Sequence, residues 1–195
     1  MCLRPICLRR SAIWPVGGRN IRLPLGASGI RADLDSVRRH LLPLRVADIE
    51  RALDAVSEQW QVGSAPPPDA GTLTPEDLRD LAASDIVTIG AHTVDHVRLG
   101  DRPAREQQDT ISGSKGELER SIGRAVSHFA YPFGLRDDFD DRSVDAVRSA
   151  AFDTACTAIP GTARSSTDPY RLPRRLVMDW GRLRFRVQMQ RWKLG

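Results

Sequence analysis

The stretch "DIVTIGAHTVDHVRLG", residues 85–100, joins a short apolar run to two histidines. The run "DIVTIG" (85–90) is β-branched and mostly apolar, which at this length favours a buried strand over a helix. His92 and His96 come directly after the predicted strand and lie four positions apart. If the segment 92–96 is helical, this spacing places both imidazoles on one face, close enough to share a divalent ion.

The His-x-x-x-His spacing alone leaves two interpretations open. Two unrelated polar residues are the more frequent case, and a shared metal ion is the less frequent one. Thr93 stands where the metalloprotease helix has its glutamate base, so that class of enzyme is excluded. Asp95 is a candidate third ligand, but on a helix it lies roughly 100° around the axis from His96. We therefore expect Asp95 to face solvent.

Predicted helices and strands alternate on both sides of the quoted stretch. Before it, Thr74 as N-cap, Pro75 at the first helical position and Asp77 three residues past the cap indicate a helix start. After it we predict, in order, a helix over 103–122 that stops at Gly123, the strand "VSHFAY" (126–131), a helix capped by Asp140 or Asp141, and the strand "FDTACTAI" (152–159). This order is typical of an α/β fold with a parallel sheet, whose ligand sites form at the C-terminal ends of the strands.

The chain before this region divides into two segments. Residues 1–30 are rich in proline and glycine and lack helical or strand periodicity, so we expect them to be irregular and poorly ordered. Residues 31–62 show apolar residues at helical spacing, with Asp48 as a candidate N-cap, and predict a helical segment of two short helices. The stretch "GSAPPPDAG" (63–71) predicts a loop, because three consecutive prolines continue neither a helix nor a sheet. The α/β part then occupies residues 72–195.

Near the other end, "LRFRVQM" (183–189) alternates apolar and polar residues, which favours a strand. Two interpretations of its arginines stay open. A solvated sheet edge is the commoner one, because charges on an edge block aggregation between strands. The alternative is a cationic face that meets an anionic surface.

The composition indicates one globular domain of 195 residues, with 41% hydrophobic and 28% charged residues. We find no apolar run of about 18 residues and no signal-peptide core, so we expect no transmembrane segment and a cytoplasmic location. Of the 29 basic residues all but Lys115 and Lys193 are arginine. Because they are interleaved with acidic residues along the chain, we expect no nucleic-acid partner. Cys2, Cys7 and Cys156 have no Cys-x-x-Cys spacing, which argues against a cysteine-rich zinc module.

Two motifs together carry a resemblance to a known family. The stretch "VTIGAHTVDHVRL" (87–99), with "SHFAYPFG" (127–134) about 30 residues later, resembles the polysaccharide deacetylase family of carbohydrate esterases. The likeness continues through "AFDTACTAIPGTARSSTDPYRLPRR" (151–175) and covers roughly residues 30–180. It implies an incomplete, distorted (β/α) barrel with an N-terminal helical segment. It also implies a hydrolase that removes N- or O-acetyl groups from a glycan by metal-assisted hydrolysis.

The resemblance assigns roles to five residues. His92 and His96 correspond to two histidine ligands of a zinc or similar divalent ion, which polarises the acetyl carbonyl and activates water. Phe133 corresponds to an aromatic residue whose backbone N–H helps to hold the oxyanion, and Pro132 fixes that loop. Arg174 matches a family arginine near the site, with a surface salt bridge as an equal alternative.

The sequence also departs from the family. Ala130 stands where many members carry an arginine, and no segment matches the Thr-Phe-Asp-Asp-Gly strand that supplies the family's base and third metal ligand. The stretch "DFDD" (138–141) imitates those letters, but we interpret it as a helix-capping acidic loop. We therefore expect an N-terminally truncated chain whose turnover is lowered by roughly 10² to 10⁴ without a base. The alternatives are a non-catalytic carbohydrate-binding remnant and a truncated pseudo-enzyme.

Overall fold

The computed structural model describes residues 11–16, 19–24, 37, 39–60 and 71–194. The chain separates into two compact units, Met1–Gly71 and Thr72–Gly195. Within the described ranges, no helix combines the length and the apolar composition needed to cross a membrane.

The first unit contains an antiparallel pair of strands, β1 (Ser11–Val16) and β2 (Arg19–Pro24). The expectation that residues 1–30 are irregular is therefore wrong for these twelve positions, and the remainder of 1–30 lies outside the described residues. A signal was present in the sequence, because Gly17-Gly18 is a two-residue spacing of the kind that favours a hairpin between two short runs.

A helix of the first unit, α1 (Val46–Trp60), lies within the segment for which helices were predicted. Asp48 does not cap it, since the helix begins two residues earlier. Asp48 instead lies in the first turn and accepts a hydrogen bond from Arg51 on the exposed surface. A carboxylate in the first turn favours the helix because it faces the positive end of the backbone dipole.

The second unit alternates helices and strands, as predicted. Its elements are α2 (Pro75–Ala83), α3 (Ala104–Ile122), β3 (His128–Ala130), α4 (Asp141–Ser149), β4 (Thr154–Cys156) and α5 (Arg182–Leu194). The predicted ends of three helices are confirmed. Thr74 and Asp77 form a reciprocal capping box at the start of α2, Asp140 and Ser143 form another at α4, and Gly123 ends α3 in the left-handed conformation.

Four chain segments lie side by side and run in the same direction. β3 pairs with β4 in parallel, Ala91 forms a parallel bridge to Phe129, and Cys156 forms one to Leu172. The order is therefore Ala91, β3, β4, Leu172. The parallel α/β prediction is confirmed to this extent, but the described residues form a short arc of sheet and do not close a barrel.

The predicted strand "DIVTIG" is wrong, because residues 85–90 are not a strand and only Ala91 contacts the sheet. The Ala91 N–H donates to the His128 carbonyl at 2.8 Å, and its carbonyl accepts from the Ala130 N–H at 2.9 Å. Ile86 is 94% exposed. A buried strand needs its apolar side chains covered and a neighbouring strand for its backbone, whereas Val87 and Ile89 are only half-buried and the run pairs with no strand among the described residues.

The core of the second unit lies between the sheet and helices α3 and α4. Its fully buried members are largely apolar and include Leu99, Ile111, Val126, Phe129, Tyr131, Val147, Phe152 and Ala155. The Tyr131 ring stacks on Phe139 with centroids 4.1 Å apart, which covers the strand end next to the loop 132–138. A buried hydrogen bond of 2.6 Å from the Ser143 hydroxyl to the Gln107 side chain connects α4 to α3.

The strand predicted over 183–189 is also wrong, because these residues lie within helix α5. Most of its side chains are exposed, so the alternation of apolar and polar residues does not reflect one buried sheet face. Arginine, leucine, glutamine and methionine are all good helix formers, and a helix satisfies its own backbone hydrogen bonds without a neighbouring strand.

We expect Gly134→Ala to destabilise the second unit more than Gly123→Ala. Both glycines have left-handed φ, 72° and 70°, so both substitutions carry the same conformational cost of about 1–2 kcal/mol. At Gly134 a new Cβ would also lie 2.7 Å from the Ala158 nitrogen, whereas at Gly123 it meets no atom within 4 Å. Urea denaturation of both variants measures the difference, and equal losses would contradict the packing at Gly134.

Candidate functional site

The residues singled out in the sequence lie just beyond the C-terminal ends of the four parallel segments. His92 comes after Ala91, the turn at Pro132 after β3, and Arg174 lies two residues after Leu172, while Thr157, which the sequence analysis did not single out, follows β4. Because parallel segments end at the same edge of a sheet, these residues lie on one side of the domain.

The two histidines lie next to each other, but not on a helix. Their ring centroids are 4.7 Å apart with the ring planes at 74°. Residues 92–97 are irregular, and the chain reverses there through positive φ values at Thr93 (65°) and His96 (51°). The helical explanation of the His-x-x-x-His spacing is therefore wrong, although the proximity that it was meant to explain is present.

The turn after β3 adds a third ring to the two imidazoles, and we call the two loops that carry these rings, 92–97 and 132–134, the cluster. The Phe133 ring lies 4.8 Å from the His96 ring, edge to face, and Phe133 also has a positive φ of 58°. Pro132 is buried, and its carbonyl accepts a short hydrogen bond of 2.6 Å from the Gly134 N–H. The turn is therefore tight and holds an aromatic ring against one of the two imidazoles.

Backbone strain is concentrated at this site. Of the four non-glycine residues with positive φ in the described part of the chain, Thr93, His96 and Phe133 belong to the cluster and only Ala151 lies elsewhere. Such conformations cost of the order of 1–3 kcal/mol each and persist only where the surroundings enforce them. The buried Thr93 hydroxyl oxygen also has no hydrogen-bond partner among the described residues. The strained backbone and the unpartnered hydroxyl both destabilise the folded state at this position, which is common at functional sites.

A backbone carbonyl fixes the tautomer of His92. Its Nδ1 lies 2.7 Å from the Ala130 carbonyl oxygen, which only accepts hydrogen bonds, so Nδ1 carries the proton. In the neutral ring, Nε2 is then left with its lone pair. Metal-binding histidines are commonly oriented in this way, by donating from the second ring nitrogen to a carbonyl.

The surroundings lower the pKa of His92 from its ordinary value of 6.5. Partial burial of the ring is the largest cause, although the residue as a whole is exposed. The hydrogen bond to Ala130 opposes this shift, whereas electrostatic interactions with His96 and Arg174 add to it. His92 is therefore neutral at pH 7, the form in which an imidazole binds a metal ion.

The two imidazoles can supply some, but not all, of the ligands of a metal site. They offer two nitrogen donors, whereas catalytic zinc is usually held by three protein ligands. Within the ranges that the structure describes, no group of three or more histidine, cysteine or carboxylate side chains could hold an ion. Asp95 is exposed, as expected. The "DFDD" stretch does not supply the ligand either, because Asp140 caps α4 and Asp138 pairs with Arg98.

Arg174 lies near the histidines but forms no ion pair with any described residue. Its guanidinium Nε donates to the Thr157 carbonyl at 2.6 Å, and its backbone N–H donates to the Ile159 carbonyl at 3.2 Å. The surface salt bridge considered for it is therefore not formed. Its positive charge contributes to the electrostatic environment of His92.

A pair that the sequence analysis missed connects the histidine loop to the Phe133 turn. The Arg98 Nε donates to Asp138 Oδ1 at 2.8 Å, and the side chains are 28% and 12% exposed. Asp138 Oδ2 accepts from the Leu135 N–H at 2.8 Å, while its carbonyl accepts from the Gly100 N–H at 2.9 Å. Forty residues separate Arg98 from Asp138, so no local pattern indicates that they meet.

A groove with a volume of about 460 Å³ borders the histidine loop. One side is formed by His92, Thr93 and Val94, and the other by the start of α2 and a face of α3 that includes Glu117 and Leu118. The volume falls in the range of small-molecule pockets. The groove therefore provides space for a ligand beside His92.

Comparisons with known proteins agree on one family. The family model for polysaccharide deacetylases matches residues 47–155. Among curated proteins, YxkH of Bacillus subtilis (strain 168), which is classed with the polysaccharide deacetylases, is 26% identical over 102 residues. That alignment covers 52% of this chain and 35% of YxkH, so the chain spans about a third of the length of this relative.

Two solved structures resemble this chain in fold. The Streptococcus pyogenes deacetylase PplD, in complex with acetate, aligns with a TM-score of 0.50 and 20% identity over 55% of this chain and 46% of PplD. IcaB from Ammonifex degensii aligns with a TM-score of 0.54 and 18% identity over 76% of this chain and 69% of IcaB. At these identities the likeness concerns the fold alone.

We expect Arg98→Met to lower the free energy of unfolding by about 1–3 kcal/mol, because it leaves the largely buried Asp138 carboxylate without its charged partner. Arg79→Met is the matched control, since Arg79 pairs with Glu76 on the exposed surface of α2 and should change stability little. Urea denaturation compares the two. A loss for Arg98→Met no larger than for the control would show that the pair does not stabilise the two loops.

We expect His92 to titrate below pH 6.5 in the folded protein, as monitored by NMR of its ring protons. The folded state then binds fewer protons than the unfolded state between its own pKa and 6.5, so this group lowers the stability as the pH falls through that window. Arg174→Gln should raise the pKa of His92, because it removes one positive charge. A His92 pKa at or above 6.5 in the wild type would contradict the assigned environment.

Proposed function

The chain belongs to the polysaccharide deacetylase family, and we propose that it is a hydrolase that removes N- or O-acetyl groups from a glycan with the help of a divalent metal ion. One observation carries the proposal. The imidazoles of His92 and His96 lie 4.7 Å apart and the ring of Phe133 contacts His96, all next to the ends of parallel strands. Family membership supports the proposed reaction class, and the proximity of these three rings supports the proposed site.

The proposal assigns His92 and His96 as ligands of the metal ion, zinc being the first candidate. The support is the neutral state of His92 and the hydrogen bond from its Nδ1, which leaves Nε2 to face an ion. A divalent ion at this position would polarise the acetyl carbonyl and make water more acidic. The proposal names two ligands only, because the described residues supply no third.

Phe133 and Pro132 take the second role. The positive φ of Phe133 turns the backbone at the ring contact with His96, and a backbone N–H in such a turn can stabilise the negative oxygen of a tetrahedral intermediate. The buried Pro132 keeps the turn in place. Arg174, which follows the segment at Leu172, adds a positive charge to the partial burial that lowers the pKa of His92. The groove beside His92 would hold the acetylated sugar.

The absence of a third metal ligand from the described residues supports a second candidate function. In that case the cleft binds carbohydrate without hydrolysing it. The two functions differ in their metal dependence. Glycan binding that survives a chelator and the loss of either histidine would favour the non-catalytic function.

Metal binding tests the proposal directly. The full chain is titrated with Zn²⁺ and Co²⁺ at neutral pH by calorimetry, and acetate release from an acetylated oligosaccharide is measured in parallel. We expect His92→Gln and His96→Gln to weaken binding by at least about 100-fold, because removing a ligand should cost no less than removing its hydrogen-bonding partner.

His128→Gln is the matched control. His128 is exposed on β3, and its Nδ1 lies 2.8 Å from the Thr154 hydroxyl, away from the cluster. It should bind metal as the wild type does. If the wild type binds neither ion, or if the control loses as much affinity as the two cluster variants, the assignment of His92 and His96 is wrong.

A further inference from the structure

Helix α5 carries positive charges on two sides and no negative charge. Its thirteen residues include five cations and no aspartate or glutamate. Arg182, Arg186 and Lys193 share one side because they are spaced by four and seven residues, and Arg184 and Arg191 share the opposite side. The helix therefore has two cationic rows.

Two apolar rows lie between the cationic ones. The first contains Phe185, Met189 and Trp192, again spaced by four and three residues. The end of this row contacts the rest of the unit, because the Trp192 ring lies 5.8 Å from the Trp180 ring and 5.1 Å from the Arg175 guanidinium, whereas Phe185 is 41% exposed. The Trp192 carbonyl also accepts a hydrogen bond from Thr162.

The second apolar row faces away from the domain. Leu183 and Val187 lie about 200° around the axis from Phe185 and Met189, and they are 77% and 48% exposed. The segment that leads into the helix adds exposed apolar side chains at Leu176 (78%) and Met178. Leu183 and Val187 therefore form an outer apolar row, which the two cationic rows flank.

The charges of α5 are not neutralised within the domain. None of its five cations forms an ion pair with a residue that the structure describes, and the Arg184 guanidinium instead lies 5.4 Å from the Trp180 ring. The nearest acidic residue along the chain is Asp179, before the helix begins. Elsewhere in the second unit, surface arginines such as Arg79 and Arg148 pair with a carboxylate three residues away.

We propose that α5 is a docking surface for an anionic lipid bilayer, on which it lies parallel to the membrane plane. The outer apolar row enters the region between headgroups and acyl chains, and the arginines on both sides reach the phosphate and carboxylate groups. This arrangement distinguishes a bilayer from a nucleic acid or an acidic polysaccharide, which would use the cations but leave Leu183 and Val187 in water. A second copy of the chain is disfavoured, because it would bring two uncompensated cationic helices together.

Cosedimentation of the full chain with vesicles tests the proposal. Vesicles of phosphatidylcholine alone are compared with vesicles that also contain phosphatidylserine, and we expect binding to the second only. Removing three cations with R182Q, R186Q and K193Q should weaken binding on the order of 100-fold, because each cation near an anionic surface contributes about fivefold. The control R79Q, R105Q and R120Q also lowers the net charge by three, from +4 to +1, and should bind nearly as the wild type does.

The pair L183Q and V187Q separates lipid from other anions. It keeps every cation, so binding to duplex DNA should be unchanged while binding to the anionic vesicles falls at least tenfold. Circular dichroism checks that both sets of variants remain folded. The proposal is overturned if the wild type ignores anionic vesicles, if the apolar pair binds them as the wild type does, or if both triple variants lose the same affinity.

Discussion

The arrangement of the second unit depends on parallel backbone pairing of β3 with a neighbour on each side. Ala91 exchanges two hydrogen bonds with residues 128 and 130, and β4 pairs along the other edge. Parallel pairing aligns the ends of segments that are far apart in the chain. Because all of these segments end at one edge, the residues just beyond them meet without any local sequence that brings them together.

The loops beyond the strand ends are strained, and nearby contacts hold them in place. Thr93, His96 and Phe133 adopt left-handed backbone conformations that cost free energy. Around them, Arg98 and Asp138 connect the two loops, the Tyr131 ring stacks on Phe139, and Gly134 lies too close to Ala158 for any side chain. These packing contacts therefore hold the strained loops at Thr93, His96 and Phe133 in their conformations. A cluster held in this way keeps its rings in place before any ligand arrives.

Local patterns predicted local features well. The caps at Thr74, Asp140 and Gly123 depend on hydrogen bonds or φ values within a few residues, so their sequence signals were sufficient. Sequence patterns gave wrong predictions where the secondary structure depends on pairing with a distant segment. Among the described residues the "DIVTIG" run has no strand partner, and "LRFRVQM" forms a helix, which satisfies its own backbone hydrogen bonds without one. Two motifs, taken together, still identified the family, because the resemblance depends on their residue types and separation and not on the structure of the elements between them.

Residue type and order were enough to identify the family and the alternation of helices and strands after residue 72, and to single out His92, His96 and Phe133, whose rings lie together in the structure. Tertiary packing was needed to show how His92 and His96 meet, that Ala130 fixes the His92 ring, and that Arg98 reaches Asp138. It was also needed to show that Trp192 of α5 contacts Trp180 and that Leu183 and Val187 are exposed. The contacts of Ala130 with His92 and of Arg98 with Asp138 join segments that are distant in the chain. Which distant segments pack together depends on burial and hydrogen bonding throughout the domain, and no local pattern contains that information.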